Sequence, residues 1–113
     1  MKGFVTPWFL LALAILSEVV GTLALKMSNG FSILIPSSIV VVGYGASLWF
    51  LALCLRSIDV GTAYAIWAGT GTALICIAGI FLFKEPMTAI KAMSLALVIL
   101  GVIGLHWAEG KAV

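Results

Sequence analysis

The chain is poor in charge. Only 9% of its 113 residues are Asp, Glu, Lys or Arg, against about 25% in an ordinary soluble domain. That deficit excludes a water-facing surface of the usual kind. With 64% hydrophobic residues, the composition is that of an integral membrane protein, and the length allows one compact unit. The net charge is +2 and the basic residues are dispersed, so no run reads as a phosphate-binding patch and no nucleic acid is expected as a partner. Cysteine is scarce too. Cys54 and Cys76 lie in separate apolar stretches without a CxxC or Cys/His cluster, which favours small buried hydrophobes over zinc or a disulfide. No metal or cofactor is therefore expected. There is no Ser/His/Asp set, paired-carboxylate spacing or metal-ligand spacing, so an enzyme is not expected either. The one histidine, His106, falls near the end of the last apolar stretch and reads as an interfacial side chain.

What is present is organised around Trp8–Met27, WFLLALAILSEVVGTLALKM. The stretch is long and apolar enough to cross a bilayer, yet it carries Glu18 near its middle. An acid at that depth costs roughly 2.5–3.5 kcal/mol on insertion scales, and it persists where it faces a protein interior or a wet cavity. The apolar run continues past Glu18 to Leu25 and lacks an A-x-A site, so it reads as a span rather than a cleaved signal.

Pro7 suits a helix start, and Ser28-Asn29-Gly30 supplies residues that take the left-handed conformation after a helix end. Pro36 opens a second helix that closes at Leu55, before Arg56. A short connection, Ser57–Val60, leads to a third. Phe83-Lys84-Glu85-Pro86 is the next turn, and Thr88 caps a fourth helix. The expected architecture is all-α: four transmembrane helices at about 7–27, 36–55, 61–82 and 88–107, making one domain over 1–113. Spans of about 20 residues match a hydrocarbon core of about 30 Å. Short loops make successive helices antiparallel neighbours. Trp8 and Trp107 mark span ends, where aromatic belts sit. The polar tail after Trp107 is expected to fray.

With four spans, Lys2, Arg56 and Lys111 share one side, and Lys26, Lys84 and Lys91 the other. The balance gives the positive-inside rule nothing to act on. One explanation is chance. The other is dual topology, in which copies insert both ways and pair as an antiparallel homodimer. Such a pair has the inverted symmetry that larger transporters build from repeats within one chain.

Residues three, four and seven away from Glu18 share its helix face. Around the carboxylate these are small or mildly polar: Ala14, Gly21 and Thr22, with Leu11 and Leu25 farther out. They either permit close helix packing or leave room for something bulky. The second span adds Tyr44, Ser47 and Trp49 among Gly43, Gly45 and Ala46. The third adds Tyr64, Trp67 and Gly71 on one face. Aromatic walls beside a buried anion suit an organic cation, since cation–π attraction contributes about 2 kcal/mol or more when desolvated. No Lys or Arg sits mid-span to pair with Glu18, so its counter-charge is expected from outside. A carboxylate removed from water favours its protonated form, which makes protons and cations competitors. Gly69-Thr70-Gly71 weakens the third helix at its middle and reads either as a hinge or as a close-packing point. Ser94, Leu97, Gly101 and Gly104 form a ridge at helical spacing on the fourth, suited to a dimer seam.

At SEVVGTLALK (Ser17–Lys26) and GTAYAIWAGTG (Gly61–Gly71), the chain resembles the small multidrug resistance family of four-helix proton-coupled exporters. Ser28–Phe31, Pro36 and YGASLWFL (Tyr44–Leu51) fit the same pattern. The resemblance covers essentially the whole chain. It implies an antiparallel homodimer in the cell membrane that exchanges protons for small organic cations, both competing for Glu18. Tyr64 and Trp67 would line the site with Tyr44, Gly69 and Gly71 would supply a kink, and the fourth helices would hold the dimer. Glu-Val-Val followed by Gly21-Thr22 looks like the branch that exports quaternary ammonium and lipophilic cations. The guanidinium-exporting branch typically has Trp at the position of Gly21. Lys84-Glu85-Pro86 is closer to that second branch, Ala68 stands where serine is frequent, and Ser94 stands where the fourth-helix motif has glycine. The alternatives are a guanidinium exporter and a non-transporting membrane partner subunit.

Overall fold

The computed structural model describes residues 6–111. Its four helices are α1 (Pro7–Met27), α2 (Leu34–Cys54), α3 (Val60–Phe83) and α4 (Ala89–Lys111). Each is long and apolar enough to cross a membrane, so the protein is an all-α, multi-pass membrane protein. Lys2, which entered the charge balance, lies outside the described residues. The chain divides into two compact units at Ile58–Asp59, with α1 and α2 in one and α3 and α4 in the other.

Local chemistry accounts for the helix ends. Thr6 is the N-cap of α1, with its Oγ1 accepting the Phe9 amide at 3.1 Å, and Pro7 follows at the first helical position. At the other end, Ser28 is fully buried; its hydroxyl donates to the Leu25 carbonyl at 2.7 Å and accepts the Phe31 amide at 3.0 Å. Asn29 and Gly30 take φ of 49° and 71°, the left-handed conformation their residue types allow. Phe31 joins them at 66°. An aromatic side chain pays for that geometry, and its capped amide offsets part of the cost.

The start of α2 differs from the sequence reading by two residues. Leu34, not Pro36, is the first helical residue, because a proline is equally tolerated at the third position. The first turn's amides have no partner within the helix, so a missing N–H there loses no hydrogen bond. Ser37 makes the first such bond, to the Ile33 carbonyl at 3.1 Å. Lys84 closes α3 in the left-handed conformation. Thr88 caps α4, accepting the Lys91 amide through Oγ1 at 3.1 Å. The expected end near Trp107 is overrun: α4 continues to Lys111. Ala108 and Glu109 are good helix formers, and the Glu109 carboxylate accepts the Asp59 amide at 3.3 Å, tying the last turn of α4 to the start of α3.

In the first unit α1 and α2 run antiparallel. Their contacts step in opposite directions, from Thr22 with Tyr44 to Ala14 with Ser47. They approach closely at Gly43, where an added Cβ would lie 2.9 Å from the Ser17 carbonyl oxygen and 3.0 Å from the Gly21 Cα. Leu11, Ala14, Ser47 and Cys54 are fully buried in this unit. In the second unit, Gly69 of α3 packs on Val98 and Val102 of α4. Ser94, Leu97, Gly101 and Gly104 of α4 are exposed.

Candidate functional site

Glu18 is the twelfth of the 21 residues of α1, about 18 Å along a helix that rises 1.5 Å per residue. It is half-buried. One turn later on the same face, the Thr22 hydroxyl donates to its carboxylate at 2.5 Å. Thr22 Oγ1 also lies 2.5 Å from the Tyr44 hydroxyl of α2. Carboxylate, threonine and phenol therefore form one continuous hydrogen-bonded line across the helix pair. Among the described residues, no cationic side chain pairs with Glu18.

Ala14, Gly21 and Thr22, expected beside Glu18 from helical spacing, meet Tyr44 and Ser47 of α2 here. Gly21 sits against the ring of Tyr44, which a Cβ would meet at 3.5 Å, so the small residue makes room for the aromatic. Ala14 and Ser47 meet one step away. The Ser47 hydroxyl donates to the Ala14 carbonyl at 2.6 Å, and both residues are fully buried. That pair belongs to the helix interface, while Glu18, Thr22 and Tyr44 keep partial access. Cys54 is buried and Cys76 half-buried, both as free thiols.

In the second unit, Tyr64 and Trp67 stack at a tilt, with ring centroids 5.4 Å apart and planes at 55°. Tyr64 is 58% exposed and Trp67 is half-buried, so the pair presents an aromatic surface. α3 runs through Gly69-Thr70-Gly71 as one helix. An added Cβ at Gly69 would lie 2.8 Å from Val102 Cγ2 and 3.2 Å from Val98 Cγ1, which makes this glycine a point of close approach to α4. Gly71 is buried. Gly101 and Gly104 have open space where a Cβ would stand.

Two features went unseen in the sequence. Gly43 sets the spacing of α1 and α2; it looked like one of several small residues, because nothing local reveals which glycine faces a backbone. The other is an open apolar groove of about 480 Å³ between α1 and α2, lined by Leu16, Val20, Ile39, Val42 and Ala46. Leu16 and Val20 stand two residues either side of Glu18, roughly 160° round the helix from it, so the groove does not include the carboxylate. The i, i+4 spacing of Leu16 and Val20 was its only trace.

The family profile described as Small Multidrug Resistance protein matches residues 6–98. A protein of Bacillus subtilis (strain 168), named Uncharacterized membrane protein YvaE, is 48% identical over 106 residues, 94% of this chain and 89% of the relative. Quaternary ammonium compound-resistance protein QacE of Escherichia coli is 42% identical, over 94% of this chain and 93% of its own length. A protein of Yersinia pseudotuberculosis named Guanidinium exporter is 43% identical, over 90% of this chain and 98% of its own. With the profile matching most of the sequence and three relatives alike almost end to end, a four-helix membrane chain carrying a mid-span glutamate belongs to the small multidrug resistance family.

Proposed function

We propose that this protein exports small organic cations across the cell membrane in exchange for protons, and that Glu18 holds each in turn. The observation that carries the reading is the mid-span carboxylate of Glu18, held by a hydroxyl rather than by a cation. Its electrostatic need is met by an arriving proton or an arriving organic cation, and one carboxylate does not hold both. Proton entry from one side neutralises the site and expels the cation. Cation binding from the other side displaces the proton. The Tyr64–Trp67 pair supplies aromatic area of the kind that attracts quaternary nitrogen.

The transporting unit in this reading is one four-helix domain per protomer, paired as an antiparallel homodimer. The even split of basic residues supports the pairing, as does the open small-residue face of α4. Tyr44, Gly21 and Thr22 border the carboxylate, with Ala14 and Ser47 packed beside it, and Gly69 and Gly71 let α3 change shape between the two protomers. Lipophilic and quaternary ammonium cations are the favoured substrates, as the name of the Escherichia coli relative suggests. Guanidinium is the second reading, favoured by the Yersinia relative's name and by Lys84-Glu85-Pro86.

Proteoliposomes with an imposed pH gradient test both readings. Labelled tetraphenylphosphonium and labelled guanidinium are supplied in separate arms. Tetraphenylphosphonium is expected to move against its gradient with the unsubstituted chain and to stop with Glu18→Gln, while Glu18→Asp retains exchange. Gradient-driven movement by the Gln variant at the unsubstituted rate would refute the role of Glu18. Movement of guanidinium alone would replace the substrate assignment.

A further inference from the structure

The line Glu18–Thr22–Tyr44 contains a constraint on its protons. Thr22 has one hydroxyl proton. When it is donated to the Glu18 carboxylate at 2.5 Å, none is left for Tyr44. The 2.5 Å contact between the two hydroxyls then requires Tyr44 to donate and Thr22 to accept. With Glu18 anionic, every O–H in the line points toward the carboxylate, and the phenol oxygen keeps its lone pairs outward. A proton arriving on the bonded carboxylate oxygen reverses the order. Glu18 then donates to Thr22, Thr22 donates to Tyr44, and the phenol proton turns out of the line.

We propose that Thr22 is a positioning residue through which Tyr44 reads the protonation state of Glu18. The proposal rests on Glu18 as the exchange site and deepens that reading. Its consequence is electrostatic. The anionic state presents the negative end of the phenol O–H to an arriving cation, and the protonated state presents the positive end. Each protonation thus removes the counter-charge and also turns a neighbouring dipole against the cation. Chains of hydrogen bonds polarise one another in this cooperative way. The other titratable side chains of the α1–α2 unit among the described residues are Lys26, Cys54 and Arg56. Lys26 stands eight residues beyond Glu18, Cys54 is the last residue of α2, and Arg56 lies two residues past it. None of them joins the line.

The test uses the full chain in lipid nanodiscs, labelled with ¹³C at the tyrosine Cζ and at the glutamate carboxyl. There are two tyrosines, so Tyr44→Phe assigns the signals, and Glu18→Gln assigns the carboxyl. The Tyr44 Cζ resonance is expected to shift over the same pH interval as the Glu18 carboxyl. That shift is expected to vanish in Glu18→Gln and in Thr22→Val, and to persist in Thr22→Ser, which keeps the hydroxyl. A Tyr44 signal that stays flat while Glu18 titrates overturns the proposal. A response that survives Thr22→Val overturns it as well. The unsubstituted chain alone decides the first point, should Thr22→Val not fold. A flat Tyr44 signal alongside exchange lost in Glu18→Gln removes the relay and keeps the exporter reading. A coupled Tyr44 signal alongside undiminished export by Glu18→Gln does the reverse.

Discussion

Gly43→Ala is the perturbation whose cost is most directly set by the structure. The added Cβ would stand 2.9 Å from the Ser17 carbonyl oxygen and 3.0 and 3.1 Å from the Gly21 Cα and amide nitrogen. All three neighbours are backbone, so no side chain can swing away. To restore ordinary contact at 3.4 Å, α1 and α2 must part by about 0.5 Å at the crossing. Overpacking of this kind typically costs about 1–3 kcal/mol. The same opening stretches the Thr22–Tyr44 contact from 2.5 Å toward about 3.0 Å, the long limit for an O–H···O bond. Gly45→Ala is the control. It lies two residues away on the same helix and has nothing within 4 Å of its Cβ position, so it is expected to be neutral or stabilising by at most about 1 kcal/mol through helix propensity. Reversible unfolding in mixed micelles, followed by tryptophan fluorescence, measures both. Equal stabilities for the two alanine variants would refute the claim that Gly43 sets the helix spacing.

Two further outcomes are expected. Thr88→Ala removes the cap of α4 and is expected to cost about 1 kcal/mol, with faster hydrogen exchange at the Lys91 amide; Thr88→Ser is expected to restore protection. Gly101→Leu places a large side chain where the protomer has open space. Its helix content is expected to be unchanged, while cross-linking in nanodiscs is expected to show loss of the dimer if α4 forms the seam; an intact dimer would move the seam elsewhere.

Helix existence was legible because it depends on local composition. Apolar runs of about 20 residues have few alternatives in a bilayer, where every backbone amide needs a partner within its own segment. The start of α1 was legible for the same reason: Pro7 acts within one turn, and the Thr6 cap beside it emerged only with the structure. The start of α2 was less so, since proline suits several positions of a first turn and Pro36 occupies the third. The pairing of Tyr64 with Trp67 follows from their separation of three residues. The meeting of Thr22 with Tyr44 does not, because it depends on the register between two helices and joins residues 22 apart in sequence. Phe31 in the left-handed region was hidden likewise, since the Ser28 hydroxyl that caps its amide acts only once the turn has formed.

Glycine shows the same division between local and tertiary information, and explains why packing and chemistry are inseparable in this hairpin. Gly43, Gly69 and Gly101 sit in similar apolar helix surroundings, yet one meets backbone, one meets valine methyls and one meets nothing. Only the neighbour distinguishes them. At Gly43 that neighbour is the α1 backbone at Ser17 and Gly21, one residue before Glu18 and one helical turn after it. Tyr44, next in sequence, is therefore brought within 2.5 Å of Thr22 by the absence of a side chain at Gly43. A short hydrogen bond between two flexible hydroxyls needs its helices held at a fixed distance, and a backbone-to-backbone contact is the stiffest spacer available to them. The glycine that carries no chemistry thus sets the geometry of the line that ends on the carboxylate.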